Sequence, residues 1–338
     1  KLTLFGGALI SEERHNVEVY VRTNYMNIDM PITISTSGSS DSQLAEQIFK
    51  NIDVALLPPY DLKDDIFMNY TQQVLVGLNQ TKKTNVLIIG ETGTGKTHLA
   101  ESLINYLITE NVPGFATKNF LSLNAQDVGK DTQMSGQLEE RLAVIEEMFN
   151  DSENFIFIDE IQSLLNKAHG DIATRKFVDA VRKVLSGKNK AKLLGTCLDS
   201  SYTKIVKDYE DLERRFSVVK IKEPTKQQMV KLINDNLKEH TQESQLTFDF
   251  DVLSFLQKYQ SKFTARIFNP DATLTVIDKA VSYATTAKRK NVTQDDFTQA
   301  SSDFTGFKPE FFNGNKKMLL NNVTDYIKNR FIGQTAAL

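Results

Sequence analysis

Asn85-Val-Leu-Ile-Ile-Gly90-Glu-Thr-Gly-Thr-Gly-Lys96-Thr97-His98 is the stretch on which the reading of this chain turns. Its first half, Val86–Ile89, is a short apolar run of the kind that makes a buried strand. Its second half, Gly90 to Thr97, matches G-x-x-x-x-G-K-[ST] in full. An amphipathic stretch beginning near Thr97 follows, so a strand leads in and a helix leads out. Gly90, Gly93 and Gly95 let the backbone N–H groups around Glu91, Thr92 and Thr94 turn inward and cradle phosphate. The start of the following helix, Lys96 to His98, adds partial positive charge. Lys96 would reach the β- and γ-phosphates of a nucleotide such as ATP, and the Thr97 hydroxyl would ligate Mg2+. A glycine-rich turn arising by chance would lack this frame of strand and helix.

Outward from this motif, short apolar runs recur at Asn85–Ile89, Phe120–Leu123, Phe155–Ile158, Leu193–Thr196 and Val218–Ile221. Helical stretches such as Thr97–Ile108, Gln137–Phe149 and Thr174–Leu185 separate them. This alternation predicts an α/β core with a parallel five-stranded sheet and helices on both faces. After Glu223-Pro224 the strand signals stop. Thr225–Glu239, Val252–Tyr259, Asp271–Lys288 and Thr293–Asp303 read as helices of a separate small α-domain.

Two further segments carry chemistry. Phe155-Ile-Phe-Ile-Asp159-Glu160 is a buried-strand pattern that delivers two acids to the end where α/β ligands bind. Asp159 suits the Mg2+ shell and Glu160 suits polarising an attacking water. Two acids after an apolar run are weak evidence alone; downstream of a complete phosphate loop they form a constellation. Glu213-Arg214-Arg215-Phe216 precedes the last strand. Its arginines read either as solvated charges or as fingers that complete a neighbouring subunit's nucleotide site.

The 338 residues allow about two domains and a sizeable core. Forty Lys and Arg against 43 Asp and Glu give a net charge of −3, which argues against electrostatic coating of nucleic acid. The single Cys197 excludes an internal disulfide and makes a reducing compartment, the cytoplasm, the default. No apolar run reaches the ~18 residues of a membrane span. Residues 1–58 stand apart: Leu2–Phe5 and Val17–Arg22 alternate as half-buried strands do, and Ser35–Ser42 reads as a loop. The organisation expected is an N-terminal β-containing accessory segment (1–58), an α/β core (59–224), a helical domain (225–306) and a linker (307–338).

These motifs together resemble the AAA+ ATPases, and within them the Clp family of ring-forming protein unfoldases. Met134-Ser-Gly-Gln-Leu-Glu-Glu-Arg-Leu142 is similar to the family's Gly-x-Phe-Glu-Glu-Arg-Leu element, and Phe157–Ile161 to its acidic Walker B strand. Leu212–Phe216 followed by Glu223-Pro224 resembles the finger segment and the entry to the lid. Asn269–Asp278 resembles a lid helix. Val292–Asp296 with Thr305-Gly306 resembles the end of a first ATPase module, and Phe331–Gln334 the opening of a second.

The resemblance implies ATP and Mg2+ as cofactors and a homo-hexamer that hydrolyses ATP between subunits. It also implies protein substrates threaded through a pore lined by Met134, where the family carries an aromatic. A peptidase or adaptor is a possible partner; membrane and nucleic acid are not implied. The polar sensor of the fourth strand falls on Cys197, with Thr196 beside it as a substitute. The short span from Asp278 to Val292 leaves no room for the coiled-coil insertion of disaggregases. Two other readings stay open at this level: a non-translocating nucleotide switch that controls partner assembly, and a replication-initiator or clamp-loader type of ATPase. The two-module reading makes this chain a fragment.

Overall fold

The computed structural model describes residues 19–20, 31–32, 41–60, 65–81, 83, 85–124, 135–165, 183, 185, 190–208, 214–265 and 267–313. Near the N-terminus, β1 (Val19–Tyr20) and β2 (Pro31–Ile32) pair antiparallel. Helix α1 (Asp41–Ile48) then runs straight into β3 (Phe49–Asn51). The central unit continues with α2 (Asp65–Leu78), β4 (Asn85–Gly90), α3 (Lys96–Thr109), β5 (Asn119–Leu123) and α4 (Ser135–Asn150). It closes with β6 (Asn154–Ile158), α5 (Gln162–Leu165), β7 (Lys192–Leu198), α6 (Asp199–Asp208) and β8 (Phe216–Lys220).

The strands form a sheet in the order β3-β5-β6-β7-β4-β8, in which β5 to β8 and β4 run parallel. Every residue of β4 and β6 is buried, which is why both read as unbroken apolar runs rather than alternating ones. Along β4, Val86 and Ile88 face α2 and α3, packing with Val74, Leu78, Leu99 and Leu103. Leu87 and Ile89 face the opposite layer, with Ile48 of α1, Val144 and Phe149 of α4, and Leu164 of α5. Strand β8 at the edge is only partly buried, with Phe216 and Val219 inside.

Several expectations need correcting. The five parallel strands are joined by a sixth: β3 pairs antiparallel with β5, Phe49 opposite Leu123. That strand and α1 belong to the core although both fall inside the expected 1–58 segment, and Ser42, expected in a loop, lies in α1. A three-residue strand has no periodicity to read, and only its partner makes it one. Strands also do not stop at Pro224, because β9 (Thr247–Phe248) and β10 (Asn291–Val292) make a short parallel ladder.

That ladder belongs to the helical domain, formed by α7 (Lys226–Ser244), α8 (Val252–Phe263), α9 (Asp271–Thr286) and α10 (Gln294–Thr305). Its core contains an aromatic group: Phe255, Tyr259, Phe263, Phe297 and Phe312 are buried together among aliphatic side chains. Phe312 lies beyond the expected limit at 306, and its carbonyl accepts the Tyr259 hydroxyl at 2.8 Å. Only a four-residue turn joins α9 to β10, so an insertion is absent there. The expected helix Thr174–Leu185 falls almost wholly outside the described residues, and the Met134 loop and Phe331–Gln334 fall outside them. Among the described residues no helix is long and apolar enough to cross a membrane.

One buried acid locks the start of α10. Asp296 receives both guanidinium nitrogens of Arg289, at 2.9 and 2.7 Å, and the Thr293 N–H at 2.8 Å. The Thr293 hydroxyl caps the same turn. Burial pushes the Asp296 carboxyl up, but the Arg289 and Thr293 bonds together outweigh it and hold the group below the usual carboxylate range. The folded lid therefore binds this proton less readily than the unfolded chain. Its contribution is present above the ordinary pKa near 4 and is lost as pH falls through the depressed value. Asp296→Asn is expected to destabilise the lid by about 1–3 kcal/mol. It should also flatten the acid limb of stability, read from urea unfolding at neutral and acid pH.

Candidate active site

The phosphate loop begins where β4 ends, between the last residues of β7 and the chain leaving β8. Ile221 N–H donates to Ile89 O at 2.8 Å, and a Cβ on Gly90 would lie 2.9 Å from Ile221 O. Past it the loop closes on itself, since the Thr94 hydroxyl donates to Glu91 O at 2.9 Å. Gly93 and Gly95 take φ of +86° and +90°, the left-handed region that glycine enters without penalty. Gly95 caps α3 without any side-chain bond, so the first N–H groups of that helix are left for an anion.

Lys96 is 7% exposed, and its Nζ donates to Glu91 O at 2.7 Å. Burial lowers its pKa, and the nearby Asp159 and Glu160 carboxylates only partly oppose this. The loop thus holds a desolvated ammonium whose natural complement is phosphate. Next to it, the Thr97 hydroxyl donates to Asp159 at 3.0 and 3.3 Å. A hydroxyl and a carboxylate in contact fit Mg2+, which takes one or two protein oxygens and completes its shell with phosphate and water. Among the described residues no group of three or more His, Cys, Asp or Glu could hold a metal ion.

Asp159 and Glu160 follow β6 directly. Glu160 has φ of +51°, a left-handed conformation that costs a non-glycine residue about 1–2 kcal/mol. Thr196, at the end of β7, holds it there. The Thr196 hydroxyl accepts the Glu160 N–H at 2.9 Å and donates to Asp159 Oδ1 at 2.5 Å. The Thr196 carbonyl accepts the Ile161 N–H at 2.9 Å. The Glu160 side chain itself is exposed.

Cys197 points the other way. It packs with Ile89, Ile161 and Leu193, donates to Leu198 O at 3.4 Å, and burial pushes its thiol up to about 12. Of the two residues considered for a polar sensor, Thr196 touches the acids and Cys197 does not. His98 is exposed on the first turn of α3.

Arg214 and Arg215 lie at the far end of the sheet from this loop. Phe216 pairs with Asn85, at the start of β4, five residues from Gly90. At ~3.3 Å per residue that is about 17 Å, beyond the reach of an arginine side chain. Arg214 is exposed, and Arg215 is half-buried with contacts of its own.

Two features of the site were not read from the sequence. Glu101 sits one turn beyond Thr97 on α3, and burial, aided by the Asp159 charge, raises its pKa. The i, i+4 spacing from Thr97 was the available signal. The lid also lies directly on the loop: Phe268 N–H donates to Thr92 O at 2.9 Å and Asp271 N–H to Gly93 O at 3.2 Å. A Cβ on Gly93 would come within 2.6 Å of Ile267 and of Phe268 O. Glu223, at the entry to the lid, accepts the Asn269 N–H at 2.8 Å.

Residues 86–221 match the family model described as "ATPase family associated with various cellular activities". The ATP-dependent Clp protease ATP-binding subunit ClpA homolog of Trieres chinensis is 29% identical over 291 residues, covering 82% of this chain and 32% of that protein. The chaperone protein ClpB of Oceanobacillus iheyensis is 26% identical over 215 residues, covering 62% and 26%. The chain therefore spans about a quarter to a third of the length of these relatives. Among solved structures, a closed-state reconstruction of Hsp104 with ATPγS and FITC casein superposes with a TM-score of 0.64 at 21% identity. The match covers 87% of this chain and 51% of that one, a likeness of fold.

The buried ammonium generates a prediction. Lys96→Met keeps most of the side-chain volume and removes a charge that the nucleotide-free fold disfavours. Its melting temperature without nucleotide is expected to equal or exceed that of the wild type. The rise that ATP and Mg2+ give the wild type should vanish, which differential scanning fluorimetry with and without nucleotide would read.

Proposed function

Because residues 86–221 match the AAA ATPase family model and Clp proteins are among the chain's relatives, we propose that it hydrolyses ATP to drive remodelling or unfolding of other proteins. The observation that carries this reading is the meeting of Lys96, Thr97, Asp159 and Glu160 at one mouth of the sheet, with both acids clamped by Thr196. In this reading the α3 N-terminus and Lys96 bind the phosphates. Thr97 and Asp159 would hold Mg2+, which supplies charge neutralisation at the phosphate oxygens when bound. Glu160 orients a water for in-line attack on the γ-phosphorus and takes its proton. The new P–O bond forms as the bond to the β–γ bridging oxygen breaks, and ADP leaves.

The distance of Arg214 and Arg215 from their own loop supports a role at a neighbour's site, and hence a closed ring, for which the family resemblance implies six copies. Movement then arises at the lid. Its Phe268 and Asp271 bonds to the loop carbonyls couple the state of the phosphate site to the angle between lid and core. A polypeptide gripped by the segment around Met134 is the substrate in this reading. A peptidase or adaptor is a further partner, since relatives carry the name of a protease's ATP-binding subunit. The single, buried Cys197 agrees with a cytoplasmic setting.

Glu160→Gln is expected to leave nucleotide affinity within about twofold and to slow hydrolysis on the order of 10²-fold or more. Turnover near the wild-type rate would remove Glu160 from this role. Subunits carrying Arg214→Ala and Arg215→Ala, inactive alone, should regain part of their ATPase when mixed with Glu160→Gln subunits. A verified mixed ring without any recovery would place the arginines elsewhere. ATP-dependent unfolding of a tagged substrate by the full-length protein separates a motor from a nucleotide switch.

A further inference from the structure

We infer that the open edge of β8 is a docking slot for an extended acidic segment of a partner protein, which adds to the sheet as one further strand. The slot lies outside the phosphate loop and needs no nucleotide, so it stands whether or not Glu160 activates water.

Strand β8 ends the sheet, and among the described residues no strand pairs with it on the side away from β4. A parallel ladder bonds every second residue of a strand to a given neighbour. Ile221 N–H donates to Ile89 O, so the residues in phase with it, Ser217 and Val219, turn their backbone groups to β4. Phe216, Val218 and Lys220 turn theirs outward. The next outward N–H, that of Lys222, donates to the Tyr70 hydroxyl of α2 at 3.3 Å, which closes the edge just past the strand. Before that point lie the five residues of β8. At ~3.3 Å per residue they present about 16 Å of edge.

That edge is the floor of a cleft of about 610 Å³. Helix α2 walls one face of the sheet with Val76 and Gln80, and α6 walls the other with Tyr202. Each wall is tied to the floor. The Ser217 hydroxyl donates to Gln80 Oε1 at 3.0 Å, and Lys220 Nζ donates to Asp199, at the start of α6, at 2.8 Å. The slot thus has its width set before anything enters it, which lowers the cost of binding. Val76, 60% exposed, and Val218, 37% exposed, offer apolar contact to incoming side chains.

Charge selects the occupant. Residues 214–222 hold Arg214, Arg215, Lys220 and Lys222 and no acid, in a chain whose net charge is −3. The stretch 66–83, which supplies the α2 wall and ends on Lys83, holds no acid either. Asp199 is already paired with Lys220, while Lys83 and Arg215 add their charge beside contacts of their own. Charges that guard an edge against pairing sit within it, but the middle of this strand, Ser217 to Val219, is uncharged. A segment with acids at its ends and β-branched residues between them meets both the cationic ends and the apolar slot.

The test uses the full chain without nucleotide and the fluorescein-labelled peptide Asp-Glu-Val-Thr-Val-Thr-Val-Glu-Asp, whose like ends suit either strand direction. Fluorescence anisotropy should show saturable binding that weakens with added salt. Hydrogen exchange of segment 214–222 should slow when the peptide is present. Val218→Pro removes one outward N–H and spares the bonds to β4, so binding is expected to fall on the order of tenfold. Val76→Glu, at an exposed position of the wall, should weaken binding similarly by repulsion. A peptide with Pro for its middle Val, and one with Lys for every acid, should each bind at least about tenfold more weakly.

No saturable binding below about 1 mM overturns the docking slot. So does binding that V76E and the proline peptide leave unchanged, or protection that falls outside segment 214–222. Equal binding of the lysine peptide removes the acidic partner. A segment 214–222 already protected in the peptide-free chain, and released by V76E together with a fall in oligomer size, makes the occupant a second copy and overturns the assignment as well. The melting temperature checks the folding of V218P, and V76E carries the comparison if that variant unfolds.

Discussion

The parallel pairing of β4 with β7 on one side and β8 on the other is the constraint on which the site depends. A strand buried on both faces cannot shift without exposing its apolar run or breaking two ladders of backbone bonds. Its C-terminal end is therefore a fixed point. Gly90 leaves from that point, Asp159 arrives from β6 and Thr196 from β7, and they meet because all three strands run the same way. In an antiparallel sheet the phosphate loop and the acids would stand at opposite ends.

The site so assembled is under electrostatic tension. Lys96 is desolvated, Glu101 is buried beside the Asp159 charge, and Glu160 sits in an unfavourable backbone region. None of these choices stabilises the fold. In the proposed function, phosphate would give the ammonium anionic partners and a cation would give the carboxylates a positive charge. Restraint comes from neutral hydroxyls: Thr94 closes the loop, and Thr97 and Thr196 converge on one carboxylate oxygen.

The lid gives this tension a mechanical outlet. It rests on the loop through two backbone bonds and a glycine contact that no side chain could replace. Its own interior holds a cluster of aromatic rings, tied by the Tyr259 bond to Phe312, with the start of α10 locked by Arg289 and Asp296. In the proposed function, a rigid lid on a small loop contact would transmit a change at the phosphate site as a rotation rather than dissipate it as local softness.

The sequence by itself determined the chemistry-bearing ladder of the protein. The full phosphate-loop pattern between a strand and a helix, the apolar run ending in Asp159-Glu160, and the change from strand–helix alternation to helices at Pro224 were all legible. These are local signals, set by the spacing of residues a few positions apart. Tertiary structure alone decided that Phe49–Asn51 is a sheet strand, that Phe312 belongs to the lid and that the arginines stand at the wrong end of the sheet for their own loop. It also decided between Thr196 and Cys197. Adjacent residues on a strand face opposite layers, and only the register of β7 against β6 says which of the two meets the acids. Short strands, register and face are properties of pairs of segments far apart in the chain, so no window of sequence contains them.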